Sequence, residues 1–264
     1  MFNKTIFKQT LKQNWKLWAI FTAITAAMGG MIIAVFNPEQ IQQMMDTFAE
    51  LGIGGMMAGE TFSLIGMVGD MFYGMQGYIL PLVFVLMTAN SLIASQVDRG
   101  SMAYTLSTPI KRVTVVCTQA LYLILAVFAM FAVVTVVGLI AVQAVHGGNV
   151  DFDTMTYINL NLGIALLLFA VSGISFLFSC VFNLTKNALL FGAGIPMAFF
   201  ILEIMSGTSE DFENLRYLSL NTLYDPAAVT GGGTFLPQFI VMAGLGAVLY
   251  LLGIWIFKEK DLPL

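Results

Sequence analysis

Seven methionines, Met44, Met45, Met56, Met57, Met67, Met71 and Met75, crowd one stretch of this chain. Thioethers are soft ligands that suit Cu(I), so the cluster raises the question of a metal site. No Cys or His joins them, and methionine also packs adaptably against lipid and neighbouring helices. Packing is the favoured reading, and no metal ligand is assigned. Cys117 and Cys180 lie in apolar surroundings and read as packing thiols rather than a disulfide or a metal pair. His146, the single histidine, precedes Gly147-Gly148 and reads as a solvated loop residue. One histidine cannot build a His-based zinc site. No Gly-Lys dipeptide occurs, so the sequence holds no P-loop. Glu203 is the acid nearest a membrane-embedded position, and it lies about one turn from an acidic loop toward which it can snorkel. Nucleophile, base and metal ligands converge nowhere, and no catalytic residue is assigned.

The elements that hold these residues follow from hydropathy. Of the 264 residues, 58% are hydrophobic and 10% are charged, against about 25% charged in a soluble domain. Charge-free stretches run over 17–38, 71–97, 113–150, 154–185, 187–202 and 226–257. A spanning helix needs about 20 apolar residues. The sequence therefore predicts an all-α, polytopic membrane protein with six transmembrane helices, near 17–36, 78–97, 113–142, 157–182, 187–205 and 235–257. The runs are apolar on every face, unlike the alternating strands of a membrane β-barrel. Lys4, Lys8, Lys12 and Lys16 extend over four turns with no Ala-x-Ala site beyond the apolar run, so the start does not read as a cleavable signal peptide.

Charge sets the orientation. Ten of the eleven basic residues fall in segments that alternate to one side, and twelve of the fifteen acids belong to the other. Basic loops stay in the cytoplasm, so both termini, residues 98–112 and the loop at Lys186 are expected inside. Residues 37–77, the turn at Asp151 and Asp153, and residues 206–234 are expected outside. Arg216 is the one base on the acidic side.

The whole of 1–264 reads as a single transmembrane domain. Residues 1–16 carry the four lysines on one face and Phe7, Leu11 and Trp15 on another, which predicts an interfacial helix on the inner surface. Outer loop 37–77 opens with Asn37-Pro38-Glu39, a helix start, and continues into a glycine-rich apolar stretch along the outer leaflet. Outer loop 206–234 reads either as short helices returning into the leaflet or as a flexible connection ending in Gly231-Gly232-Gly233. Ser172, Ser175 and Ser179 form a small polar face on the fourth helix, and Ala243 and Ala247, with Gly246 and Gly253 nearby, form a small apolar one on the sixth. Gly192, Gly194 and Pro196 predict a bend in the fifth.

The cytoplasmic segment 98–112 is the most informative. Asp98 and Arg99 close the second helix, and Gly100 permits a sharp turn. Residues 101–107 allow about two helical turns with Met102 and Leu106 exposed on one side. Thr108-Pro109 stops that helix, and Lys111 and Arg112 anchor the third span. A short helix of this kind offers a docking knob to a soluble partner.

The run Asp98-Arg99-Gly100, then Leu106-Ser107-Thr108-Pro109 and a basic residue, resembles the ABC-2 family of ATP-binding-cassette transporter permeases. The ending Phe257-Lys258-Glu259-Lys260-Asp261-Leu262-Pro263-Leu264 and the six-helix plan fit the same family. The long Gly/Met-rich first outer loop departs from it. The resemblance implies a cytoplasmic coupling helix that docks on an ABC ATPase through Asp98, Arg99, Gly100, Ser101, Met102, Tyr104, Leu106, Ser107, Thr108 and Pro109. It implies a second contact at Asn183 and Lys186. It further implies two ATPase copies that carry ATP and Mg, with no cofactor on this chain, and a second permease chain in a homodimer or related heterodimer. The setting is the bilayer of a bacterial cytoplasmic membrane, with no nucleic acid partner. The implied role is export of a hydrophobic or amphipathic compound: a peptide, an antibiotic-like molecule or a lipid. An ion-coupled secondary transporter and a non-transporting scaffold or sensor are the alternatives.

Overall fold

The computed structural model describes residues 2–36, 43, 47, 63–107, 109–147, 152–206 and 210–260. Six helices in it are long and apolar enough to cross a membrane. The first span is Lys4–Val35, the second Leu64–Asp98, the third Arg112–His146, the fourth Thr154–Val181, the fifth Thr185–Ser206 and the sixth Leu236–Glu259. A loop helix, Ser101–Leu106, joins the second and third.

The fourth span is the hub. In its most apolar stretch 72% of the residues are enclosed, against 17% in the fifth span. Its three predicted serines each reach a different neighbour. Ser172 and the Tyr250 hydroxyl of the sixth span are 2.7 Å apart, Ser175 donates to the Gly192 carbonyl of the fifth at 2.7 Å, and Ser179 accepts from Ala94 N of the second at 3.0 Å. A hydroxyl that bonds across helices in lipid adds specificity to packing that has no aqueous hydrophobic drive. Glycines bring the sixth span close to the fourth. A Cβ on Gly246 would sit 2.4 Å from the Phe169 ring, and one on Gly253 would sit 3.2 Å from Phe176. Gly246 and Gly253 of the predicted small face therefore make the contact, whereas Ala247 points outward.

The first and third spans run parallel, in register along their length. Asn3 N donates to Thr118 Oγ1 at 3.2 Å, Thr10 Oγ1 to Gln119 Oε1 at 3.0 Å, and Trp18 Nε1 to the Ala126 carbonyl at 2.9 Å. At the far end His146 Nε2 donates to the Ile33 carbonyl at 3.0 Å. His146 is therefore buried and bonded, not solvated.

The first span also departs from expectation. No break separates residues 1–16 from the apolar run. Asn3 caps a single helix by accepting from Thr5 N and Ile6 N, and the helix continues to Val35. The lysine-bearing part is its N-terminal extension, held by Thr10 and Phe7 against the third span. No glycine or proline lies between Lys4 and Met28 to end it.

Residues 64–77, expected in the outer loop, are helical and begin the second span. Gly69–Gln76 form a π-helical stretch, Pro81 lies within the helix that follows, and Ile93 breaks it before Ala94–Asp98. Gly29 and Gly77 both press on the Phe72 ring, at 3.1 Å from a notional Cβ. Of the expected helix after Asn37, only residues 43 and 47 are described, and both are helical. The rest of that loop lies outside the described residues. The fifth span is interrupted at Ala193, between Gly192 and Gly194, where the bend was predicted. Outer loop 206–234 contains short helical turns at Glu210–Leu218, Leu220–Leu223 and Pro226–Thr230. Tyr224 ties it back by donating to the Leu160 carbonyl at 3.0 Å.

Candidate functional site

The second span ends at Asp98, and Gly100 turns the chain with a φ of +69°, a left-handed conformation that suits glycine. Ser101 Oγ then donates to the Gln96 carbonyl at 3.2 Å and ties the start of the loop helix to the span it leaves. Ser107 Oγ donates to the Tyr104 carbonyl at 2.9 Å and closes its other end. Ile110 packs on the core, and Lys111, in extended conformation, precedes the third span.

The exposed face of this helix differs from the sequence expectation. Met102 is fully enclosed, at 0% exposure, and anchors the helix in the core, while Tyr104 is 82% exposed. The side that a partner can touch is therefore led by Tyr104, with Arg99, Gly100, Ser101, Ser107 and Pro109 exposed around it. The Leu106 side chain and Thr108 lie outside the described residues.

Asp98 meets the fifth span. Its Oδ2 accepts from Thr185 N at 3.1 Å. The fifth span begins at Thr185 and its own N-cap residue, Leu184, supplies no side-chain acceptor. A carboxylate from another helix thus takes the capping role, where the helix dipole favours negative charge. Asn183 beside it is half-buried and Lys186 is exposed. The two cytoplasmic segments that sequence reading treated as separate contacts are joined by this bond.

Two further bonds draw in the remaining ends. Lys260 Nζ donates to the Cys180 and Val181 carbonyls at 3.0 and 2.6 Å, the usual service of a cation at a helix C-terminus. Burial there pulls the Lys260 ammonium below the usual lysine range. Arg112 donates to the Lys260 carbonyl at 3.1 Å. With the Ser179–Ala94 bond, these contacts link the ends of the second to sixth spans on the side that carries the loop helix. Thr185 carried no sequence signal for its role. Only the Lys/Arg preference for helix C-termini hinted at Lys260.

Among the described residues no group of three or more His, Cys, Asp or Glu could hold a metal ion. Cys117 and Cys180 are free cysteines. Of the methionine cluster, Met71 and Met75 are exposed on the outer part of the second span and Met67 packs against the core. The other four lie outside the described residues.

Six spans, most of them packed on the fourth, with a short helix between the second and third, define a multi-pass helical membrane domain. A family model described as ABC-2 family transporter protein matches residues 7–262, and the chain belongs to that family. No curated protein and no solved structure matches it.

Proposed function

We propose that this chain is the membrane-spanning subunit of an ATP-driven exporter of hydrophobic or amphipathic compounds, and that a separate cytoplasmic ABC ATPase docks on the face led by Tyr104. The carrying observation is the loop helix itself. It buries Met102 completely and projects Tyr104, and it follows directly on Asp98, the end of the second span, which is bonded to the start of the fifth. An element rooted in the core, presenting one large aromatic outward, is built to transmit force rather than to float.

Two ATPase copies, carrying ATP and Mg, act on two permease chains in the bacterial cytoplasmic membrane. Closure of the ATPases moves the loop helix and the second span with it, and the Asp98–Thr185 bond carries the fifth span along. The fifth span suits a moving or partner-facing part, since it is broken at Ala193 and mostly unenclosed within one chain. The chain itself supplies no nucleotide chemistry, and its lone Asn183 and Lys186 add a lesser contact beside Thr185.

The test is transport of a labelled amphipathic compound in vesicles that contain the permease and its co-expressed ATPase. Transport is expected to need ATP and to stop when the ATPase is made hydrolysis-dead. Transport that continues on an ion gradient alone supports the secondary-transporter alternative, and none in either condition supports a scaffold or sensor.

A further inference from the structure

The outer end holds a cavity of about 370 Å³ between the second span, the fifth span and loop 206–234, within the range of small-molecule sites. Tyr78 and Phe200 form one wall, with ring centroids 5.7 Å apart, and the buried Tyr224 contributes to another. Three charged residues, Glu203, Arg216 and Asp225, line it. Asp225 is already engaged, accepting from Ala227 N and Ala228 N at the start of a short helix.

Two acceptors are not engaged. One carboxylate oxygen of Glu203 is enclosed and has no hydrogen-bond partner. The amide oxygen of Asn221, a side chain only 6% exposed, lines the same cavity and also has none. Arg216 lies within electrostatic reach of Glu203. Yet its Nε is enclosed without a partner, and the one ion pair within 4.0 Å among the described residues is Lys258–Glu259. Enclosed acceptors without donors are costly and in native proteins call for an explanation. Asp70 lies close enough to Asp225 for their charges to interact, so the described acids around the mouth outnumber the single arginine.

We infer that this cavity binds an amphipathic organic cation bearing N–H donors, a primary or secondary ammonium on an apolar or aromatic body. The ammonium donates to Glu203 and Asn221, and its body lies against Phe200 and the tyrosine rings, where a cation is also attracted to the aromatic faces. An anion meets Glu203 and Asp225 and is repelled. A neutral apolar molecule leaves both acceptors unsatisfied. Arg216 competes for Glu203, which keeps the bound cation from being held too tightly. Placing this site at the exit of the transport path rests on the export reading, but binding does not, because it needs no ATPase.

The test uses the full chain in nanodiscs without an ATPase, with empty nanodiscs as blank. Naphthylmethylammonium is the probe and naphthylacetate the matched anion, both followed by equilibrium dialysis. Saturable binding at one site per chain is expected, with no competition from naphthylacetate. Glu203→Gln weakens it at least tenfold and Arg216→Gln tightens it severalfold. Non-saturable binding, equal affinity for the anion, or an unchanged Glu203→Gln variant overturns the inference. Weaker binding in both variants marks a collapsed outer end and overturns the charge assignment. Each of these failures leaves the Tyr104 docking face standing.

Discussion

At the cytoplasmic end Asp98, Arg112 and Lys260 each hold a backbone group of another span. At the outer end Glu203 and Arg216 share a cavity, each with an enclosed polar atom that has no partner. The contrast between the two ends is one of mechanical duty. Helix ends that cap one another move together, because separating them exposes both a charge and unpaired backbone groups. Charged groups left unpaired at a cavity respond instead to what enters it. The fourth span touches both regions, through its three serines on one side and through the Leu160 carbonyl, which accepts from Tyr224, on the other.

The largest expected effect falls on the tied end. Met102→Glu places a carboxylate at a fully enclosed site, which a protein tolerates only by unfolding the surroundings or neutralising the acid. Monodisperse protein after detergent extraction is expected to be lost, whereas Met102→Leu costs under about 1.5 kcal/mol and behaves as wild type. A well-behaved Met102→Glu protein sets the loop helix free of the core and removes the contrast.

Asp98→Ala comes next. Transport in vesicles is expected to fall about tenfold while the ATPase still co-purifies, since the lost bond runs to Thr185 and not to a partner. Asp98→Asn keeps an acceptor and retains most of the activity. Loss of the ATPase in Asp98→Ala moves Asp98 from the tie into the docking surface.

Ser175→Ala removes one bond of the hub and is expected to cost about 1 kcal/mol, read as a lower melting temperature in detergent. No change there places the hub's strength in the glycine contacts at Gly246 and Gly253 instead.

The smallest effect is at the outer start of the fourth span. Asp153 caps it, accepting from Thr156 Oγ1 at 2.5 Å and from Met155 N at 3.0 Å. The Thr156 bonds, ahead of the others, hold its carboxyl below the usual range. Its contribution is thus full above the ordinary aspartate value of 3.8 and is lost as the pH falls below it through the depressed value. Asp153→Ala is expected to cost about 0.5 kcal/mol, seen as faster hydrogen exchange at Thr154–Tyr157. In the wild type the same acceleration appears only below that pH.

The six spans were legible because a charge-free run of about 20 residues has few other uses. Residues 64–77 hid as loop because Gly69, Asp70, Gly74 and Gly77 argue against a helix locally. Tertiary contact overrides that propensity, with Gly77 pressed on Phe72. His146 looked solvated beside two glycines, and its partner, Ile33, lies 113 residues away. For the loop helix, the sequence located the turn at Gly100 and the stop near Pro109. It could not say which face points inward. Met102 and Leu106 share a side by spacing, and the left-handed turn at Gly100 decides where that side goes. The Asp98–Thr185 bond joins residues 87 apart and left no trace in local pattern.

The central claim is that energy enters through the exposed face of the loop helix, and Tyr104→Glu tests it most directly. The side chain is 82% exposed, so the substitution leaves the permease monodisperse and correctly inserted. Co-purification of the co-expressed ABC ATPase on the tagged permease is then expected to fall at least tenfold. A Tyr104→Glu permease that retains the ATPase at the wild-type ratio contradicts the account.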